Sequence, residues 1–237
     1  MCMRFCAGFL VILITAFAPA HGKSPLPSFR WAEGEPGCSF RRGNDGKYYY
    51  GMSSENLDVL MTVDSQELEM VRRRLDRLFA VQLRVRYRGP KTLGVEPDKI
   101  RLKFLTHFGV VHPSLDPDEI MQDLQSQADA FTDYVQHEIS KHPDKKTEKE
   151  ALLQNYRTDV FQLMDFVCTR SLRPAKLDLQ NPEIEGWVFF STTGKWVGKW
   201  KTPEHFLLRV SVGKQIFEFP FTLPASEGDL ILRRRSP

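Results

Sequence analysis

Residues 205–223 read HFLLRVSVGKQIFEFPFTL, and this stretch predicts a β-hairpin from its own pattern. Apolar and polar side chains alternate on both sides of Gly213-Lys214, and a period of two is typical of strands with one buried face. A two-residue turn at Gly213-Lys214 places Val212 opposite Gln215. The pairs that follow are Val210–Phe217, Leu208–Phe219, Phe206–Phe221 and, on the other face, Arg209–Glu218. Each pair joins chemically compatible side chains, which defines the register.

Pro220 constrains what lies beside this hairpin. In the predicted register Leu207 and Pro220 form a non-hydrogen-bonded pair, so the N–H group that proline lacks would point away from the hairpin partner. The strand containing Pro220 is therefore predicted to be a sheet edge, or bulged, near that residue.

Other segments of the chain show the same two-residue period. Residues 81–87 and 100–104 alternate apolar with basic or polar side chains, and residues 57–63 and 186–190 also have strand character. Strands with one apolar face and one solvent-exposed polar face favour antiparallel sheets that pack on one side.

The region between these strands has helical spacing instead. Asp116-Pro117-Asp118-Glu119 combines an N-cap, a proline at the first helical position and a capping box. Thr147–Glu150 repeats the capping-box pattern. Two apolar stripes follow these starts at steps of three or four residues, namely Ile120, Leu124, Ala128, Phe131, Val135 and Ile139, and then Leu152, Tyr156, Val160, Leu163 and Val167. Residues 116–171 are therefore predicted to form an antiparallel two-helix hairpin.

Strands before and after the helices predict a mainly β fold. We expect an antiparallel β-sandwich, with immunoglobulin-like connectivity as a working hypothesis, into which the helical hairpin is inserted. The alternative is an α+β fold with the helices packed on one sheet. Residues 48–223 are assigned to this β-rich domain, residues 23–47 to an irregular N-terminal arm and residues 224–237 to a polar, basic tail.

Residues 1–22 have the pattern of a signal peptide. Arg4 precedes an uncharged run from Phe5 to Phe17 that is apolar except for Thr15, and small residues follow, so cleavage is expected after Ala20 or Gly22. Thirteen helical residues span about 20 Å, less than the roughly 30 Å of a bilayer core. The mature chain is thus expected outside the cytosol, with no membrane span. The alternative is an uncleaved N-terminal segment that anchors the chain.

The mature chain keeps two cysteines, Cys38 and Cys168. In an oxidising compartment two cysteines tend to pair, so a Cys38–Cys168 disulfide is predicted, with two buried thiols as the alternative.

Composition and motifs exclude several classes of function. A net charge of +3 with interspersed acids and bases gives no reason to expect a nucleic-acid partner. The sequence has no HExxH, paired-cysteine, GxSxG or glycine-rich phosphate motif. His137 and His142 are five positions apart, which separates them by about 140° around a helix. We therefore predict no catalytic residue, no metal site and no cofactor.

The most unusual segment lies between the strand region 186–190 and the hairpin at 205–223. It carries Trp196 and Trp200 beside Lys195, Lys199 and Lys201 in a glycine-punctuated connection. Tryptophans on a loop can stack on sugars or anchor a protein, and lysines attract anionic partners. These five residues are the sequence-based candidates for contact with an extracytoplasmic protein or glycan. The alternative is that both tryptophans fold back into the core.

A non-enzymatic binding or accessory domain is thus the favoured function. A hydrolase of an envelope or extracellular polymer and a structural component of an envelope assembly are the two alternatives.

Overall fold

A computed structural model describes residues 26–63, 78–106, 110–191 and 204–223. The predicted signal peptide, the Trp196–Trp200 segment and the predicted tail lie outside these residues. In the described ranges the strands are β1 Ser28–Arg30, β2 Cys38–Arg42, β3 Tyr48–Ser53, β4 Leu57–Val63, β5 Leu78–Tyr87, β6 Leu93–Val95, β7 Arg101–Phe104, β8 Val111–Pro113, β9 Ala175–Leu177, β10 Glu183–Ser191, β11 Glu204–Val212 and β12 Gln215–Leu223. The helices are α1 Pro117–Lys141 and α2 Lys146–Arg170.

The strands form two sheets. The five-stranded sheet is antiparallel, in the order β10-β5-β4-β3-β2. In the seven-stranded sheet β12 lies between β1 and β11. The other edge of β11 pairs with both β7 and β6. Strand β7 in turn pairs with β8, and β6 pairs with β9. The predicted strands at 57–63, 81–87, 100–104 and 186–190 are confirmed as parts of β4, β5, β7 and β10.

The predicted hairpin register is confirmed at each pair. Val212 faces Gln215 and Val210 faces Phe217 across the β11–β12 turn, where Gly213 has a φ of 57°. A positive φ at this position is what a tight hairpin turn requires. On the outer face Arg209 donates two hydrogen bonds to Glu218 Oε1, at 3.0 and 2.6 Å.

The prediction for Pro220 is also confirmed. Strand β1 pairs in parallel with β12 only from Ile216 to Glu218. Ile216 N–H donates to Pro27 O, and Trp31 N–H donates to Glu218 O. Bonds along a parallel ladder alternate between the two strands, so the next donor would be the nitrogen of Pro220, which has no hydrogen. The pairing ends where the proline stops it.

The two sheets share one hydrophobic core. It collects the inward-facing side chains of β3, β4, β5, β7, β10, β11 and β12. The ring of Phe79 from the five-stranded sheet stacks on Phe206 of the seven-stranded sheet, with centroids 5.3 Å apart. The mainly β, two-sheet fold is therefore confirmed, while the immunoglobulin-like connectivity stays a prediction.

The helical hairpin begins as predicted and differs at its second helix. Asp116 caps α1 by accepting a hydrogen bond from Asp118 N–H at 2.8 Å. Helix α2 instead starts at Lys146, directly after a 3-10 turn, and its N-cap makes no side-chain bond. The capping box at Thr147 is therefore wrong, because the preceding turn already continues into the helix. The buried stripe of α2 contains Leu153, and Leu152 is 50% exposed.

The hairpin packs on the outer face of the five-stranded sheet. Trp187 and Phe189 of β10 point to this face and contact a second cluster that includes Ile120, Leu124 and Val167 of the helices. The backbone is fixed there by two bonds of 2.8 Å, Leu172 N–H to Trp187 O and Leu115 N–H to Phe189 O. Helices packed on one sheet face, the feature of the α+β alternative, thus coexist with two sheets around a common core.

Two further expectations, the irregular N-terminal arm and the disulfide, differ from the structure. The segment expected as an irregular arm forms β1 and β2, which add to different sheets. The predicted disulfide is not formed, and Cys38 and Cys168 are free thiols. Cys38 lies on edge strand β2 and packs against the core between the sheets, whereas Cys168 is exposed on the helix that covers the outer face over β10, the opposite edge. Four strand spacings of about 4.8 Å separate those edges, far beyond disulfide reach.

Neither helix in the described ranges is sufficiently long and apolar to cross a membrane.

Candidate functional site

The sequence-based candidates Trp196, Trp200, Lys195, Lys199 and Lys201 lie in residues 192–203, outside the described part of the chain. The ends of this connection are described. It leaves β10 at Ser191, which pairs with Leu78 of the five-stranded sheet, and it enters β11 at Glu204, which pairs with Leu223 of the seven-stranded sheet. The candidate segment therefore joins the two sheets.

A groove of about 660 Å³ lies where the end of α2 meets the outer face of the five-stranded sheet. We call it the hairpin groove. Its lining comes from four distant parts of the chain, the turn before β3, strand β5, helix α2 and strand β10. The lining residues are Lys47, Gln82, Phe166, Thr169, Arg170, Glu185, Gly186 and Trp187.

Trp187 is positioned by the alternation of β10. Val188 and Phe190 face the core between the sheets, so Trp187 and Phe189 face the helices. Phe166 of α2 packs against the Trp187 ring with centroids 5.5 Å apart. Trp187 is only 8% exposed, and its indole N–H group has no hydrogen-bond partner among the described residues. By contrast, the indole N–H of Trp31 donates to Ser39 O at 3.0 Å.

The one carboxylate that lines the groove, Glu185, is already engaged by donors of the sheet. Gln82 Nε2 donates to Glu185 Oε1, and Arg84 Nε donates to Glu185 Oε2, each at 2.5 Å. Arg170 at the end of α2 forms no ion pair or hydrogen bond with a described residue. The Thr169 hydroxyl donates to Asp165 O at 2.7 Å within the helix. Arg170 and the Trp187 indole thus place hydrogen-bond donors in the groove that no described residue accepts.

Gly186 determines how closely the chain after α2 can approach β10. A Cβ atom at this position would lie 2.5 Å from Leu172 N and 2.8 Å from Ser171 C. The chain that leaves α2 passes along the edge of β10 at this glycine and buries Leu172 in the core between the sheets. The position of the end of α2 over β10 therefore depends on a residue without a side chain.

A shallower depression of about 340 Å³ continues the same sheet face away from the helices. Its floor has small side chains, because Ser39 pairs with Gly51 across β2 and β3. Arg84 bridges Glu183 and Glu185, and Arg86 contacts Glu183 at 3.2 Å. Since Arg84 also contacts Glu185, these ion pairs connect the depression to the hairpin groove.

A third cavity, of about 470 Å³, lies at the start of α1. Four acids line it, and two of them have structural partners: Asp116 caps the helix, and Asp118 accepts a hydrogen bond from Arg173 at 2.9 Å. The described residues contain no group of three or more His, Cys, Asp or Glu side chains that could hold a metal ion.

Sequence reasoning missed the hairpin groove, although one signal pointed to it. Residues 186–190 read GWVFF without alternation, which is typical of a strand covered on both faces. The second face is the one the helices cover. No sequence pattern brings Lys47 or Gln82 to the same place. No model of a known protein family, no curated protein and no solved structure matches this chain.

Proposed function

We propose that this chain is an exported, non-enzymatic binding domain on a β-sandwich scaffold, and that its ligand is a glycan held in the hairpin groove. The observation that carries the proposal is the nearly buried Trp187, whose indole N–H has no partner among the described residues and which lines a polar groove of about 660 Å³. Buried polar groups are normally paired, so an unpaired one in a cavity supports a bound molecule as the missing partner.

The surroundings favour a glycan over a peptide. A peptide that extends a sheet needs a free strand edge, and the edge of β10 beside the groove already accepts hydrogen bonds from Leu172 and Leu115. A peptide anchored by an apolar side chain needs an open apolar pocket, and Trp187 and Phe166 are packed against each other instead. The remaining lining is polar, as sugar hydroxyls require.

Residues 192–203 are proposed as a second contact. Trp196 and Trp200 would stack on further sugar rings, and Lys195, Lys199 and Lys201 would bind acidic groups. Export through the signal peptide at residues 1–22 belongs to the same proposal, because it would expose both contacts to extracytoplasmic polymers.

The first test blocks the groove. Thr169→Trp places a bulky side chain on an exposed helical position that lines the groove, and Thr158→Trp is the matched control. Both threonines donate to the carbonyl four residues earlier in α2, at 2.7 and 2.9 Å, but Thr158 does not line the groove. Using a panel of immobilised glycans and the chain from residue 23 onward, we expect binding that Thr169→Trp abolishes and Thr158→Trp preserves. Binding that survives Thr169→Trp, or no binding by the unmodified chain, would refute the proposal.

The second test addresses the proposed loop contact. Trp196→Ala combined with Trp200→Ala should reduce glycan capture while leaving the melting temperature nearly unchanged. If the double variant unfolds, both rings belong to the core and the loop contact is wrong. The groove proposal would survive that outcome, since its own variants test it separately.

A further inference from the structure

The unpaired donors of the hairpin groove point to the chemical group it recognises. Resting on the function proposed above, we infer that the groove binds an acidic sugar, whose carboxylate or sulfate pairs with the Arg170 guanidinium and accepts the Trp187 indole hydrogen bond.

The inference depends on which groups are already paired. Glu185, the carboxylate in the groove, accepts hydrogen bonds from Gln82 and Arg84. Arg170 has no acidic partner in the described chain, although other arginines of the protein do. Arg173 contacts Asp118 at 2.9 Å and Arg88 contacts Asp58 at 2.8 Å. The Arg170 guanidinium is therefore a permanent positive charge in the groove that no described carboxylate pairs with.

The two donors differ in what they demand of a ligand. The indole N–H of Trp187 needs any acceptor, and a neutral sugar oxygen would satisfy it. Arg170 is exposed and can be solvated by water, yet charge-assisted hydrogen bonds from guanidinium to an oxyanion are stronger than those to a neutral oxygen. One anionic group on a sugar satisfies both donors.

Carboxylate and sulfate are distinguished by the choice of probe. The acidic probes are an oligogalacturonate and a sulfated oligosaccharide of similar length, and the neutral probe is the methyl-esterified oligogalacturonate. Methyl esterification removes the charge and leaves the sugar backbone unchanged. We expect one or both acidic oligomers to bind, the neutral one to bind at least tenfold more weakly, and added salt to reduce the difference.

Arg170→Gln is the decisive variant, and Arg157→Gln is its matched control. Both changes remove one arginine charge from α2, but Arg157 donates to Thr132 on the neighbouring helix and does not line the groove. Arg170→Gln should weaken binding of the acidic oligomer about tenfold, which corresponds to one charge-assisted hydrogen bond. Arg157→Gln should change it less than twofold.

The indole resonances provide a binding readout in the unmodified chain, and a variant is used only to assign them. In a ¹H–¹⁵N spectrum, the indole N–H signal of Trp187, assigned through Trp187→Phe, should shift on addition of the acidic oligomer. The indole of Trp31, bonded to Ser39 O, should not shift. Equal binding of acidic and neutral oligomers, or full binding by Arg170→Gln, would overturn the acidic-sugar inference but leave the glycan-binding function intact. If no oligomer or panel glycan binds the unmodified chain, the proposed function fails, and the inference fails with it.

Discussion

Gly186→Ala tests how the helical hairpin is joined to the sheet. A Cβ atom at Gly186 would lie 2.5 Å from Leu172 N and 2.6 Å from Leu172 Cα, whereas ordinary contacts begin near 3.4 Å. The two segments must therefore separate by about 0.9 Å. Both sides of the contact are backbone, and Leu172 N–H is bonded to Trp187 O at 2.8 Å, so no side chain can rotate to relieve it.

The expected loss of stability follows from these contacts. Overpacking costs about 1–3 kcal/mol, and weakening the Leu172–Trp187 hydrogen bond adds about 0.5–1.5 kcal/mol. We expect Gly186→Ala to lower the free energy of unfolding by about 2–4 kcal/mol. Urea denaturation followed by far-UV circular dichroism measures this quantity, and an unchanged m-value would show that both states keep their compactness.

Gly94→Ala is the matched control for this measurement. Gly94 also lies in a strand, but the nearest atom to an added Cβ is Glu96 Oε1 at 3.8 Å, an ordinary contact. Since alanine restricts the unfolded chain, Gly94→Ala should be neutral or stabilising by up to about 1 kcal/mol. If the two variants differ by less than about 0.5 kcal/mol, the close approach of Ser171-Leu172 to β10 is not a rigid feature of the fold, and the reasoning is refuted.

Three further predictions concern the core and the hairpin. Phe79→Ala should cost about 3–5 kcal/mol in urea denaturation because the 2% exposed ring joins the two sheets, whereas Phe161→Ala, 72% exposed, should change stability by less than about 0.5 kcal/mol; similar costs would contradict the core assignment. Arg209→Met should lower the free energy of unfolding by about 1–2 kcal/mol, because it leaves the Glu218 carboxylate, 11% exposed, without its two hydrogen bonds. Adding Glu218→Met should recover much of this loss. If the losses of the two single variants simply add in the double variant, the pair does not contribute as argued. Burial lowers the pKa of the His112 imidazole below its ordinary 6.5, so on acidification the unfolded chain takes up a proton first. The free energy of unfolding therefore falls as the pH drops below about 6.5. His112→Gln should flatten that part of the curve of unfolding free energy against pH, and an unchanged curve would be inconsistent with the assignment.

Local sequence patterns were sufficient to predict the structures that depend on near neighbours. The β11–β12 register follows from alternation around a two-residue turn, because all of its pairs lie within 205–223. The start of α1 follows from Asp116, since capping involves only the next two or three residues. Pro220 predicted a strand edge because the missing N–H is a property of the residue itself. In contrast, Leu152 and Leu153 differ by one position on α2, and only tertiary packing decides which of them is buried.

Tertiary structure alone decided the arrangements that join distant segments. The pairing of β1 with β12 connects the first described strand with the last, and nothing in Ser28–Arg30 specifies that partner. The separation of Cys38 and Cys168 depends on strand order and on the sheet face that α2 covers, neither of which cysteine spacing encodes. The hairpin groove likewise collects residues 47, 82, 166, 169, 170 and 185–187. Each of those segments is locally an ordinary turn, helix or strand, and the unpaired donors become a site only where packing brings them together.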